Sequence, residues 1–145
     1  MEKTSEPLIQ ADCRKRKMLS VGIDLVEIDR IRRSLGNPRF LTFVYGAEER
    51  AELCARGMPA QSLAAAFAAK EAFGKALQTG VAGFSLREVQ LLHRENGAPF
   101  LCLSGRALHI SEERRLKFSV SVSHTKRYAT AIVIAVANEE LRIED

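Results

Sequence analysis

From Leu19 the chain alternates strictly, with Leu19, Val21, Ile23 and Leu25 on one side and Ser20, Gly22 and Asp24 on the other. A period of two marks a half-buried strand, here ending near Asp24. The period then lengthens to that of a helix: Ile28, Ile31 and Leu35 share one side, Arg30 and Arg33 project from the opposite side with Arg32 on the flank, and Gly36-Asn37-Pro38 stops the run. A second helix is expected over 48–56, closed by Gly57-Met58-Pro59, and a long Ala-rich one over 61–78, before Thr79-Gly80. Residues 84–93 read as a strand, Glu95-Asn96-Gly97 as a turn and 99–103 as the hairpin partner. Ser104 is placed to cap a helix reaching about Leu116. Phe118, Val120 and Val122 then alternate with Ser119, Ser121 and Ser123 up to His124, and a turn at Thr125-Lys126-Arg127 leads into the continuous apolar strand 128–136. Along that strand Ala129, Ala131, Ala135 and Ala137 share a face, leaving room for a helix to approach the sheet closely.

These elements predict one α+β domain over 18–145, a mainly antiparallel sheet packed on a long Ala-rich helix. Residues 1–17 are polar and aperiodic, with a basic run at Arg14-Lys15-Arg16-Lys17, and read as a flexible arm; Met18 is an alternative start. Composition agrees: 46% of 145 residues are hydrophobic, enough for one core that needs neither disulfide nor metal to hold it. The formal charge of +4, from 22 Lys and Arg against 18 Asp and Glu, favours acidic partners without being a nucleic-acid signature. Cys13, Cys54 and Cys102 are scattered, with no C-x-x-C pair, as suits a reducing cytoplasm. The longest apolar stretch, about ten residues, is too short to span a bilayer, and the N-terminus lacks the apolar core of a signal peptide.

Several polar residues stand where a purely structural reading does not want them. On a helical wheel Lys70 falls among Leu63, Phe67, Phe73, Gly74 and Leu77, in the apolar stripe of the long helix. An ammonium there must reach an edge, pair with a carboxylate or meet a ligand anion. Beside it, Glu71 and Lys75 stand one turn apart, which is either a surface pair worth ~0.2–0.5 kcal/mol or one edge offering a carboxylate to a hard cation and ammoniums to phosphate oxygens. Asp24 ends a strand next to Gly22 and either caps the following helix or partners Glu71 around a cation. His124 closes a strand beside three hydroxyls; it finishes a hairpin, binds phosphate or acts as a base.

Three blocks taken together resemble the holo-acyl-carrier-protein synthase family of 4'-phosphopantetheinyl transferases: VGIDLVEIDRI at 21–31, FAAKEAFGKAL at 67–77 and SVSHTKRYATAIVIA at 121–135. NGAPFLCLSGRAL at 96–108 is also typical, so the likeness spans nearly everything after Met18. The resemblance implies transfer of the phosphopantetheine arm of coenzyme A to a serine of apo acyl carrier protein, with release of adenosine 3',5'-bisphosphate. Carried over by motif, Asp24 and Glu71 would be the two protein ligands of Mg²⁺, which also grips the CoA pyrophosphate. Lys70 and Lys75 would hold phosphate oxygens, Lys75 stabilising the leaving phosphate, and His124 would touch the same nucleotide. The family fold is a small α+β unit that forms homotrimers with active sites between subunits. Acyl carrier proteins are acidic, so Arg30, Arg32 and Arg33 are expected to dock them.

The chain departs from the family pattern at Ala66, where arginine is usual, and at Lys126-Arg127 after S-H-T, where an acidic residue is frequent. Two rival readings use the same residues differently. One is a CoA-dependent acyltransferase or thioesterase with His124 as base and no metal; the other is a non-enzymatic basic module built on 14–17 and the three arginines. With two tyrosines and no tryptophan to stack on bases, no nucleic-acid partner is expected, and no membrane partner either.

Overall fold

The computed structural model describes residues 19–137; the arm expected over 1–17, together with Cys13, lies outside them. The chain order is β1 (Leu19–Glu27), α1 (Ile28–Ser34), α2 (Phe40–Val44), α3 (Ala47–Ala55), α4 (Ala60–Ala76), a 3₁₀ turn (Leu86–Glu88), β2 (Val89–His93), β3 (Pro99–Leu103), α5 (Gly105–Glu113), β4 (Leu116–His124) and β5 (Tyr128–Ala137). Three strands form an antiparallel sheet in the order β1-β5-β4, and β2-β3 form a separate hairpin.

The long helix α4 packs on β1 and β5 because both strands present small side chains to it. Ala129, Ala131, Val133 and Ala135 of β5 are buried, and so is Gly22 of β1. A methyl group on Gly22 would lie 1.9 Å from the Ala72 carbonyl oxygen and 2.6 Å from the Ala76 amide nitrogen, so only glycine allows this approach. Ser20 completes the contact by donating its hydroxyl to the Ala76 carbonyl at the end of the helix (2.7 Å). The core closes around Phe73, whose ring meets Phe84 and Phe118 at centroid distances of 5.2 and 4.8 Å.

The fold departs from the expected elements at four places. The first strand runs on to Glu27, and its apolar side faces outward: Leu19, Val21, Ile23 and Leu25 are 57–64% exposed, whereas Gly22 and Val26 are buried. The short helix α2 was not foreseen. The segment 84–88 is not strand, because β2 finds its partner only from Val89, opposite Leu103 where β3 ends; the preceding residues close a 3₁₀ turn instead. The helix after Ser104 stops at Glu113 rather than near Leu116, since Arg115 takes a positive φ of 54° that turns the chain into β4. Ser104 occupies the N-cap position of α5 without a side-chain bond, and the Glu88 carboxylate accepts the Ala107 amide in its place (3.0 Å).

Candidate active site

The sheet, α4 and α1 meet at Asp24. The register of β1 points Asp24 to the same side as Gly22 and Val26, toward α4. The Thr130 hydroxyl donates to the Asp24 carbonyl (2.8 Å), which pins the backbone there. The Lys75 ammonium donates to Asp24 Oδ1 at 3.1 Å and to the Ile23 carbonyl at 2.9 Å. Glu71 stands one turn earlier on α4 and is close enough to feel its neighbours. Burial and the Asp24 charge push its carboxyl above the ordinary range, while Lys75 and Arg30 pull it back. Four side chains from three elements thus form one cluster: Asp24, Glu71, Lys75 and Arg30.

Two carboxylates near enough to repel one another are hard oxygen donors of the kind that suit Mg²⁺, which takes one or two carboxylates plus water and phosphate oxygens. Among the described residues no three His, Cys, Asp or Glu side chains gather to hold a metal by themselves. The donor set therefore fits a cation that completes its shell from substrate and solvent, and does not fit an all-protein cage.

Lys70 is not at that edge, contrary to its expected place among phosphate-holding residues. Its side chain is fully buried and its ammonium donates to Glu49 Oε1 (2.6 Å) and to the Val89 carbonyl, 5.5 Å from the centroid of the Tyr45 ring. Glu49 is saturated in turn: it accepts the Gly46 amide at 3.1 Å and the Leu91 amide at 2.7 Å. Burial drives Glu49 up and Lys70 down, toward their neutral forms, and their mutual attraction opposes both shifts. Burial beside Glu49 also raises the Tyr45 hydroxyl, which donates to the Leu63 carbonyl (2.7 Å). The network ties α3, α4 and β2 together, and its full burial keeps the Lys70 ammonium away from the surface. Glu49 went unnoticed in the sequence, although its i,i+4 relation to Leu53 puts it on the buried face of α3, where the stranded lysine needed a carboxylate.

His124 ends β4, at the opposite edge of the sheet from Asp24. There it lines a cavity of about 200 Å³ with Arg56 and Gln61, His93 of β2, and Ala66 on the floor. Glu52 ties two of the basic groups, at 2.8 Å from His93 Nδ1 and 3.4 Å from Arg56 Nη2. Arg56, Gln61 and His93 were not singled out in the sequence, because they come from separate elements and carry no motif. Arg30, Arg32 and Arg33 are exposed on α1. Arg32 pairs with Asp29 (2.6 Å), and Arg30 lies 5.9 Å from the centroid of the Phe67 ring.

The chain and its fold have counterparts among known proteins. The sequence profile of the 4'-phosphopantetheinyl transferase superfamily matches residues 20–133, and the chain belongs to that superfamily. Within it, the chain is 41% identical over 119 residues to the holo-[acyl-carrier-protein] synthase of Treponema denticola, a match covering 81% of this chain and 97% of the relative. Among solved structures it is similar to the holo-[acyl-carrier-protein] synthase of Neisseria meningitidis (TM-score 0.74, 32% identity, 80% of this chain and 96% of that one). It is also similar to the Helicobacter pylori holo-[acyl-carrier-protein] synthase in complex with coenzyme A (TM-score 0.68, 28% identity, 79% and 98%).

Proposed function

We propose that this chain is a holo-[acyl-carrier-protein] synthase: it moves the 4'-phosphopantetheine group of coenzyme A onto a serine of apo acyl carrier protein and releases adenosine 3',5'-bisphosphate. In balanced form, the serine oxygen forms a bond to the phosphorus of the phosphopantetheine arm, the bond from that phosphorus to the bridging oxygen breaks, and the serine proton is lost. The observation that carries the reading is the Asp24, Glu71 and Lys75 cluster at the α4–β1 contact, in a chain of this superfamily.

Asp24 and Glu71 would hold Mg²⁺, which when bound neutralises pyrophosphate charge. Lys75, half exposed and anchored on α4, is placed to hold phosphate oxygens of the leaving nucleotide as charge develops on them. The cavity at His124 suits the nucleotide end of CoA, where Arg56 supplies a cation beside Ala66, the position at which relatives usually carry arginine. Arg30 and Arg33, with Arg32 partly neutralised by Asp29, give α1 a basic face that would steer an acidic carrier protein.

The Asp24 cluster and the His124 cavity lie at opposite sheet edges, and one ligand reaches both more readily if each comes from a different copy of the chain. The exposed apolar side of the sheet, from Leu19 and Ile23 of β1 to Ile132 and Val136 of β5, supports the homotrimer that would bring copies together. No helix of the described residues is long and apolar enough to cross a membrane, and Cys54 and Cys102 are unpaired, in keeping with work in a reducing cytoplasm. The rival metal-free reading needs an oriented base, and among the described residues no carboxylate side chain bonds to His124.

The test is the intact mass of an apo carrier protein after incubation with the chain, CoA and Mg²⁺. The reading predicts a gain of one phosphopantetheine arm, abolished by EDTA. An acyl adduct from acyl-CoA, or turnover indifferent to EDTA, would reject it.

A further inference from the structure

The two carboxylates of the cluster are not in equivalent states. Asp24 accepts an ammonium on its Oδ1, whereas the Glu71 carboxylate makes no side-chain hydrogen bond or ion pair with any described residue, although it is partly buried and feels the Asp24 charge. The ammonium on Asp24 is held by two oxygens at once, that of Asp24 and that of the Ile23 carbonyl, both fixed on a paired strand. Its tether is different in kind. The Lys75 side chain is 51% exposed at the end of a flexible four-carbon stem, while the Asp24 side chain is only 17% exposed on a paired strand.

We propose that Lys75 and a divalent cation compete for the Asp24 carboxylate, so that Lys75 is a built-in counter-ion which must give way before a cation can be shared between Asp24 and Glu71. This rests on the reading of Asp24 and Glu71 as a cation-holding pair. The ammonium occupies one oxygen of the Asp24 carboxylate by contact and repels an incoming dication by charge. A lysine displaced from Asp24 loses two oxygen acceptors and remains beside the cation as a free ammonium, which phosphate oxygens then satisfy. Cation entry and phosphate binding therefore favour one another through a single side chain, and this coupling is reciprocal. Lys75 is on this account a positioning residue for the cation as well as a phosphate contact.

The consequence runs against the usual outcome of removing a site residue: without Lys75 the protein binds a bare cation more tightly. Mn²⁺ alone, with no CoA present, is titrated into the full chain and the free ion counted by electron paramagnetic resonance. Lys75→Met should lower the dissociation constant on the order of tenfold, from the repulsion of a monocation and a dication a few ångströms apart. Lys75→Gln should act in the same direction, and Lys75→Arg, which keeps the charge, should stay near the parent. Asp24→Asn combined with Lys75→Met should cancel the gain. Thermal melts confirm that each variant is folded, as expected at a half-exposed position. Mn²⁺ affinity unchanged or weakened in folded Lys75→Met overturns the competition while leaving the cation pair standing. No Mn²⁺ bound by parent or variant overturns both.

Discussion

Lys70 shows how far one residue can be read without its surroundings. Its place in an apolar helical stripe already demanded an edge, a carboxylate or an anion, and the structure answers with Glu49, 21 residues earlier. That pairing depends on how α3 folds back over α4 and β2, which no local pattern encodes. A buried pair is costly to break because the surviving charge is left without a counter-ion. Lys70→Met should therefore cost roughly 3–5 kcal/mol of stability. Adding Glu49→Gln should recover a large part of it by removing the stranded carboxylate while keeping an acceptor for the amides of Gly46 or Leu91. Urea unfolding of the single and double variants measures both; a double variant no more stable than Lys70→Met would show that the pair is not what holds these elements together. Glu71 and Lys75, by contrast, were legible as one helix edge from their spacing, whereas Asp24 was left between a helix cap and a cation partner until the family resemblance joined it to them.

At the scale of elements, α4, α1 and the β2-β3 and β4-β5 hairpins were readable from period and turn residues, within a few positions of their observed ends. What the pattern hid was the direction of β1. A face of Leu19, Val21, Ile23 and Leu25 looks like core, yet the helix sits on the poorer face, because only Ser20, Gly22 and Asp24 are small or polar enough to let its backbone come close. The helix α2 and the 3₁₀ turn were hidden for another reason: they span five and three residues and are set by their tertiary neighbours. The contact at Gly22 also sets the spacing between Asp24 and the helix that carries Glu71 and Lys75. Gly22→Ala forces the α4 backbone away from β1, so a loss of about 1–3 kcal/mol is expected from overpacking. Transfer activity should fall with it, even at temperatures where the variant is fully folded by circular dichroism. A variant with parent activity and stability would mean that the two elements can separate without disturbing the site.

The molecule as a whole carries an exposed apolar sheet face of the kind that marks interaction surfaces. Val21, Ile23 and Ile132 stand on it, 57%, 61% and 37% exposed, at the opposite side of the sheet from α4. If copies of the chain bury this face and bring an Asp24 cluster to a His124 cavity, charge placed there should dissolve the assembly and the activity together. Ile23→Glu is expected to sediment as a monomer with intact secondary structure and to transfer poorly; an active monomer would refute the shared site. Hydrophobic periodicity was silent on this level, since an interface strand and a core strand obey the same alternation, and only the family resemblance pointed to an assembly.

The central claim, that Asp24 and Glu71 act together in moving a phosphopantetheine arm, is tested most directly by weighing the product. Apo carrier protein is incubated with CoA, Mg²⁺ and either the parent chain, Asp24→Ala or Glu71→Ala, and its intact mass is followed with time. The account predicts that the parent adds one arm to every carrier molecule and that each variant, still folded, is slower by at least about a hundredfold, the scale on which electrostatic contacts to a transition state act. Either alanine variant loading the carrier at the parent rate would contradict it.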